Sequence, residues 1–381
     1  MREIYLDHAA STYVIPEVLE AMLPYFSEIY GNPESKHNQG QKARIAVDNA
    51  RETIASILNC KPSEIIFTSG GTESNNLAIF GTARAHADRG KHLITSTIEH
   101  SSVTNPFKKL EKEGFEVTWL PVDEHGLISL KTLKQAIRPD TTLVSIMYAN
   151  NEIGTILPIP EIAKICAEKA VAFHTDACQA AGCLEMNVTK LGSTLLTLNG
   201  SKIYGPKGVG AIYIKEGHEI MPVQYGGTHE SKRRAGTLNV PGIIGLAKAL
   251  EIYQAKKEAE NARLTSLRDK LISGLTAKIP DCSLNGHPTN RLPNNINIAI
   301  RAVHSSDSIL QLNKLGIYAS PGSACRAGSS MPSPVLEAIN LPRNLRHTSI
   351  RLTLGLKTTD EDIDYILAEV PLLIKKMRAS Y

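Results

Sequence analysis

A chain of 381 residues, 42% hydrophobic and 21% charged, can bury a large core and has the length of two ordinary domains. Its net charge is only +4, and the densest basic clusters, Lys232-Arg233-Arg234 and Lys375-Lys376, are too small for a nucleic-acid or membrane-surface stripe. No apolar run reaches the roughly 18 residues of a membrane span, the first residues lack a leader pattern, and six cysteines are no disulfide framework at this length. The expectation is a cytoplasmic protein with free thiols, no membrane partner and no nucleic-acid partner.

From about residue 64 to 215 short apolar, β-branched runs alternate with helical patterns. The expected strands are 64–69, 92–97, 116–121, 142–148, 171–175, 194–198 and 210–214, with helices at 72–89 and 158–169 among the connections. This alternation predicts an α/β chain with a mainly parallel sheet covered on both faces. Ligands of such sheets collect beyond the carboxyl ends of the strands. Five of the expected ends carry polar groups: Gly70-Gly71-Thr72, Glu99-His100, Asn150-Asn151, Asp176 and Ser201-Lys202.

After about residue 240 the pattern changes. A long charged helix is expected over 243–279, followed by a smaller α+β unit with strands near 294–300, 316–320 and 349–354 and a terminal helix from Asp360. The expected division is a large domain over 14–255 and a small one made of 1–13 and 256–381.

Ser69-Gly70-Gly71-Thr72 follows a strand and opens a helix, a place where free N–H groups and a hydroxyl suit a phosphate; a tight turn with a helix cap reads equally well. Lys202 lies in the glycine-rich Gly200-Ser201-Lys202-Ile203-Tyr204-Gly205 between two apolar strands, where desolvation favours the neutral amine of a Schiff base. Lys207 is a competitor, set in what reads as a turn, and most lysines are simply solvated charges. Asp176 at a sheet end can keep a pyridine nitrogen protonated, or cap a helix. His100 can stack on a ring or move a proton, or be an ordinary strand-end polar residue.

Cys325 lies in Ser320-Pro321-Gly322-Ser323-Ala324-Cys325-Arg326-Ala327-Gly328. These small residues read as a mobile loop, about 320–333, with Arg326 favouring a thiolate. Cys178 and Cys183 have no second pair, so no metal site is expected. Arg351 is a lone cation in an apolar strand, suited to bidentate carboxylate binding or to a structural ion pair.

Taken together and in this order, these residues resemble the cysteine desulfurases of the nitrogen-fixation and iron–sulfur-assembly type, class-V aminotransferase relatives of the fold-type I pyridoxal-phosphate enzymes. The most specific stretches are 68–76, 148–154, 174–182, 202–210, 234–240 and 322–325. The resemblance implies a mainly parallel seven-stranded sheet, pyridoxal 5'-phosphate as cofactor, and conversion of L-cysteine to L-alanine with a persulfide passed to a sulfur-acceptor or scaffold protein. It implies Lys202 as the Schiff-base lysine, Asp176 as partner of the pyridine nitrogen, and Gln179 as donor to the phenolic oxygen. His100 looks like the residue that stacks on the ring and handles protons. Gly71 and Thr72 resemble the phosphate cradle, with Thr237 reaching it from the neighbouring subunit of a homodimer. Asn151 and Arg351 look like the carboxylate clamp, and Cys325 like the sulfur acceptor.

Two departures stand out. Relatives carry a serine and a histidine before the lysine, where this chain has Asn199 and Ser201, so phosphate binding is expected either to use Ser201 with altered geometry or to be weaker. The sequence also ends at Tyr381, soon after its last helix, where scaffold-docking relatives carry a longer tail. An aminotransferase, a selenocysteine lyase and a non-catalytic scaffold subunit are the rival readings.

Overall fold

The computed structural model describes residues 2–322 and 333–379. Its strands are β1 (Ile4–Tyr5), β2 (Ile65–Thr68), β3 (His92–Ser96), β4 (Glu116–Leu120), β5 (Thr141–Ser145), β6 (Ala172–Asp176), β7 (Leu195–Asn199), β8 (Gly210–Ile214), β9 (Cys282–Leu284), β10 (Asn295–Ile300), β11 (Ile317–Tyr318) and β12 (Ser349–Thr353). Seven of them form the main sheet in the order β2-β8-β7-β6-β5-β3-β4. The pairs from β4 to β7 are parallel, whereas β8 runs antiparallel to both of its neighbours. The expected α/β architecture and all seven of its strands are therefore present.

Burial on both faces explains the composition of the central strands. Every residue of β3 and β5 is buried, so their polar side chains must find partners inside. His92 Nδ1 lies 2.7 Å from Thr141 Oγ1, and His174 bridges Ser145 Oγ (2.8 Å) and Thr197 Oγ1 (3.0 Å) across β5, β6 and β7. The expected strand 142–148 leaves the regular ladder after Ser145. Its continuation still bonds to β6 through Ile146 N to His174 O and Tyr148 N to Asp176 O, which carries residues 147–151 to the rim of the sheet.

The first hydrophobic core covers one face of this sheet with Phe67, Ile94, Val144, Phe173 and Leu196, and a separate cluster of Ile66, Leu93, Leu143, Leu195 and Ile212 with Phe107 covers the other. A second core gathers Ile4 and Leu6 with Leu264, Leu271, Ile298, Ile350 and Ile366. The helix Val240–Lys278 runs through both: Ile243, Leu246 and Leu250 sit in the first, Leu264, Leu267 and Leu271 in the second. The second core rests on the antiparallel sheet β12-β10-β9, with β1 paired in parallel to β11. The helix Asp360–Arg378 closes it and opens on a capping box, Asp362 N to Thr359 Oγ1 (3.2 Å) and Thr359 N to Asp362 Oδ2 (3.1 Å). Val335, Leu336 and Ile339 pack into the first core. Among the described residues no helix is long and apolar enough to cross a membrane.

Candidate active site

The strand ends of the main sheet open on one cavity of about 210 Å³. Gly71 and Thr72 reach it after β2, His100 after β3, Asn151 after β5, Asp176 at the end of β6, and Asn199 and Lys202 after β7; Arg351 comes from β12. The loop after β1 contributes Ala9 and Ala10, so both cores supply walls.

Lys202 ends a single 3-10 turn, Gly200–Lys202, whose start is capped by Asn199 Oδ1 accepting from Ser201 N at 3.3 Å. Its Nζ donates to Ala9 O at 2.9 Å and to Ala10 O at 2.5 Å. The N-terminal segment thus holds the amine inside the cavity. Lys207 is exposed, donates to Thr12 O at 3.4 Å and lines a different hollow.

Asp176 is buried, and both of its oxygens are engaged. Oδ1 accepts from Cys178 N at 3.0 Å and Oδ2 from Asn75 Nδ2 at 2.7 Å. The same Asn75 amide donates to Ser102 Oγ at 2.8 Å, and Ser102 Oγ lies 2.8 Å from His100 Nδ1. Asn75 and Ser102 also line the cavity. Sequence reasoning passed over both, because an asparagine within a helix and a serine in a helix's first turn carry no signal of their own.

At the cavity's glycine end, Gly70 has φ 144°, a conformation that favours glycine, and the helix Gly71–Ala85 starts there. A Cβ on Gly71 would stand 2.6 Å from Cys178 Sγ, so the helix start packs this closely against Cys178 only as glycine while still lining the cavity. The first N–H groups of the helix have no intrahelical acceptor. Asn199 Nδ2 lies 3.5 Å from where that Cβ would stand. Ser201 is placed differently from expectation. Its Oγ lies 3.3 Å from Asn199 Oδ1, and the residue is not part of the lining. Asn199 thus faces the helix start alongside Cys178 and lines the cavity, a residue the sequence reading named only as a departure.

At the opposite end Arg351 is 1% exposed. Nη2 donates to Asp7 Oδ1 at 2.8 Å and Nη1 to Asn151 O at 3.2 Å, while Nε is buried without a partner among the described residues. Gln179 Nε2 donates to Ala9 O at 3.0 Å. Thr237 is exposed and lines a separate hollow with Tyr25, Tyr30 and Pro33. Its neighbour Arg234 is tied to the cradle helix by Glu73, with Nε to Oε1 at 2.7 Å.

Cys325 lies outside the described residues. Burial pushes the thiols of the other five cysteines up, to about 12 for Cys60, Cys166 and Cys183, to about 11 for Cys282, and well above the ordinary value for Cys178. None of the five is a ready thiolate at neutral pH. Glu99, fully buried beside His100, is raised to about 8 by desolvation, although Ser96 Oγ and Met147 N bond to it. Among the described residues there is no cluster of three or more potential metal ligands.

The aminotransferase class-V family matches residues 4–366. Cysteine desulfurase IscS of Dictyoglomus turgidum is 51% identical over 377 residues, covering 99% of this chain and 96% of that protein. Cysteine desulfurase IscS of Methanosarcina thermophila is also 51% identical, covering 99% of this chain and 93% of its own. Among solved structures, a NifS-like protein superposes with a TM-score of 0.93 at 35% identity, covering 98% of this chain and 100% of its own. A structure described as SspA in complex with cysteine matches with a TM-score of 0.83 at 38% identity, over 92% of this chain and 98% of its own.

Proposed function

The chain belongs to the aminotransferase class-V family and is a cysteine desulfurase, and we propose that it binds pyridoxal 5'-phosphate on Lys202 and passes the sulfur of L-cysteine to Cys325. The observation that carries this reading is the single cavity that sets Lys202 Nζ, the Asp176 carboxylate and the buried Arg351 guanidinium around one space.

The residues present fit the cofactor. Gly71 and Thr72 line the cavity where the helix begins. Thr72, Asn199 Nδ2 and the helix N–H groups offer donors to a phosphate there, and the anchored Asp176 carboxylate suits a protonated pyridine nitrogen. When bound, the cofactor supplies an electron sink for charge at the substrate Cα.

The protein's own groups do the rest. Lys202 Nζ holds the cofactor and moves the proton lost at the substrate Cα. Arg351 receives the substrate carboxylate through Nε and its neighbouring nitrogen, beside Asn151. His100 is the imidazole of the cavity lining among the described residues. Cys325 Sγ, as a thiolate, attacks the substrate sulfur. A sulfur–sulfur bond forms and the C–S bond breaks, its electron pair and a proton ending on the methyl group of alanine. The persulfide left on Cys325 goes to an acceptor protein for iron–sulfur cluster or thio-cofactor synthesis. Free thiols suit the reducing cytoplasm as its compartment.

Thr237 supports a homodimer. It faces away from its own chain's cavity, while Glu73 and Arg234 hold its segment near the cradle helix. A second copy's Thr237 completes the phosphate site in this reading.

The test is alanine released from L-cysteine under reducing conditions by cofactor-loaded protein, wild type against Cys325→Ala. Release by the wild type with loss in the variant is expected. Equal release by both would remove Cys325 from the reaction, and no release by either would overturn the desulfurase reading.

A further inference from the structure

The links between His100 and Asp176 have a definite direction. Asn75 Nδ2 has two hydrogens and two acceptors at good distance, Asp176 Oδ2 at 2.7 Å and Ser102 Oγ at 2.8 Å. An amide nitrogen only donates. The Ser102 hydroxyl oxygen accepts from Asn75 and lies 2.8 Å from His100 Nδ1, with its own hydrogen available to that nitrogen. The backbone N–H of Ser102 also points at Nδ1, at 3.2 Å. Two donors thus converge on one ring nitrogen, and a neutral imidazole that accepts at Nδ1 carries its hydrogen on Nε2.

We infer that Asn75 and Ser102 are positioning residues that lock His100 as the Nε2–H tautomer, making it a hydrogen-bond donor rather than a base toward the substrate. The inference rests on the proposed desulfurase reading and refines the role of His100 in it. A ring fixed in this way cannot take a proton from a substrate thiol at Nε2, because that nitrogen has no lone pair to give. It offers an N–H to a sulfur carrying negative charge, and no proton changes hands there. Among the described residues, the charged side chains sharing the cavity are Asp176, Lys202 and Arg351; buried Glu99 precedes the ring in sequence. One amide clamps both the carboxylate assigned to the cofactor nitrogen and the hydroxyl that orients the ring, so the two ends of the site keep a common geometry.

Imidazole nitrogen-15 spectra of the full-length, cofactor-loaded protein test this, with His100→Gln identifying the resonances. The expected ring has Nδ1 unprotonated and Nε2 protonated at neutral pH. Ser102→Ala should shift the Nδ1 resonance and lower kcat by about three- to tenfold with little change in KM, the size of one lost hydrogen bond. Ser102→Thr, which keeps the hydroxyl, should restore both. A ring protonated on Nδ1 or on both nitrogens, or a His100 signal unmoved by Ser102→Ala, would overturn the inference. Alanine release by the wild-type sample is scored separately, so a failure of the desulfurase reading stays distinct from a failure of the tautomer assignment.

Discussion

Arg351 Nη2 donates to Asp7 Oδ1 at 2.8 Å, so the guanidinium at the substrate end is pinned by a residue just beyond β1. Asp7 belongs to the same segment whose carbonyls, Ala9 O and Ala10 O, hold Lys202 Nζ. In the proposed reading the first dozen residues therefore aim both the cofactor amine and the carboxylate clamp. This gives them a part in the chemistry that their sequence did not announce.

In the proposed reading a substrate carboxylate completes the set at Arg351 Nε, which has no partner among the described residues. Arg351→Lys keeps the charge but loses the fork. One charge-assisted hydrogen bond is worth about 1.5–3 kcal/mol, so KM for L-cysteine should rise by about ten- to a hundredfold with kcat changed far less. Steady-state alanine formation measures both constants, and an unaltered KM would exclude Arg351 from carboxylate binding.

Asn199, not Ser201, is expected to carry the phosphate contact that relatives make with other side chains. Asn199→Ala should weaken cofactor retention by about three- to tenfold, the value of one neutral hydrogen bond. Ser201→Ala should weaken it less, since its hydroxyl is engaged with Asn199 Oδ1. Absorbance titration of cofactor-free protein with pyridoxal phosphate gives the two constants, and the reverse order would return the role to Ser201.

The sheet and the residues at its strand ends were legible in the sequence because short apolar, β-branched runs and strand-end polar groups are local signals. Lys202 over Lys207 was legible for the same reason: one follows a buried strand directly, and the other sits in a turn. Asn75 and Ser102 were not, because their role depends on bringing the helix after β2 beside the helix after β3. The placement of Ser201 was missed too, since position beside a lysine says nothing about which way a short side chain turns. Asn199 lies beside Gly71 because it caps the turn Gly200–Lys202, its Oδ1 accepting from Ser201 N.

Glu99 makes a pH prediction of definite sign. Desolvation raises its carboxyl to about 8 from an ordinary 4.5, so between those values the folded chain holds a proton that the unfolded chain has released. Stability from this group is present below about pH 4.5 and is lost as pH rises toward 8. Glu99→Gln removes the titration. Its stability relative to wild type should improve by a few kcal/mol across that window. Urea unfolding at several pH values measures the difference, and parallel curves for the two proteins would show that Glu99 ionises normally in the fold.

Gly71 and Cys178 offer a test of the cradle that needs no substrate. A methyl at position 71 would stand 2.6 Å from Cys178 Sγ and at ordinary contact distance, 3.5 Å, from Asn199 Cβ. Gly71→Ala must therefore shift the helix start or turn the sulfur into the cavity. Overpacking of this kind costs about 1–3 kcal/mol, and either response crowds the phosphate end, so both stability and cofactor affinity should fall. Cys178→Ala alone removes only a buried, protonated thiol and should leave desulfuration standing. Combined with Gly71→Ala it makes room for the methyl, so the double variant should recover most of what the single one loses, a coupling of about 1 kcal/mol or more. Unfolding curves and cofactor titration of all four proteins complete the cycle; strictly additive losses would mean that the glycine is needed for something other than its clearance from Cys178.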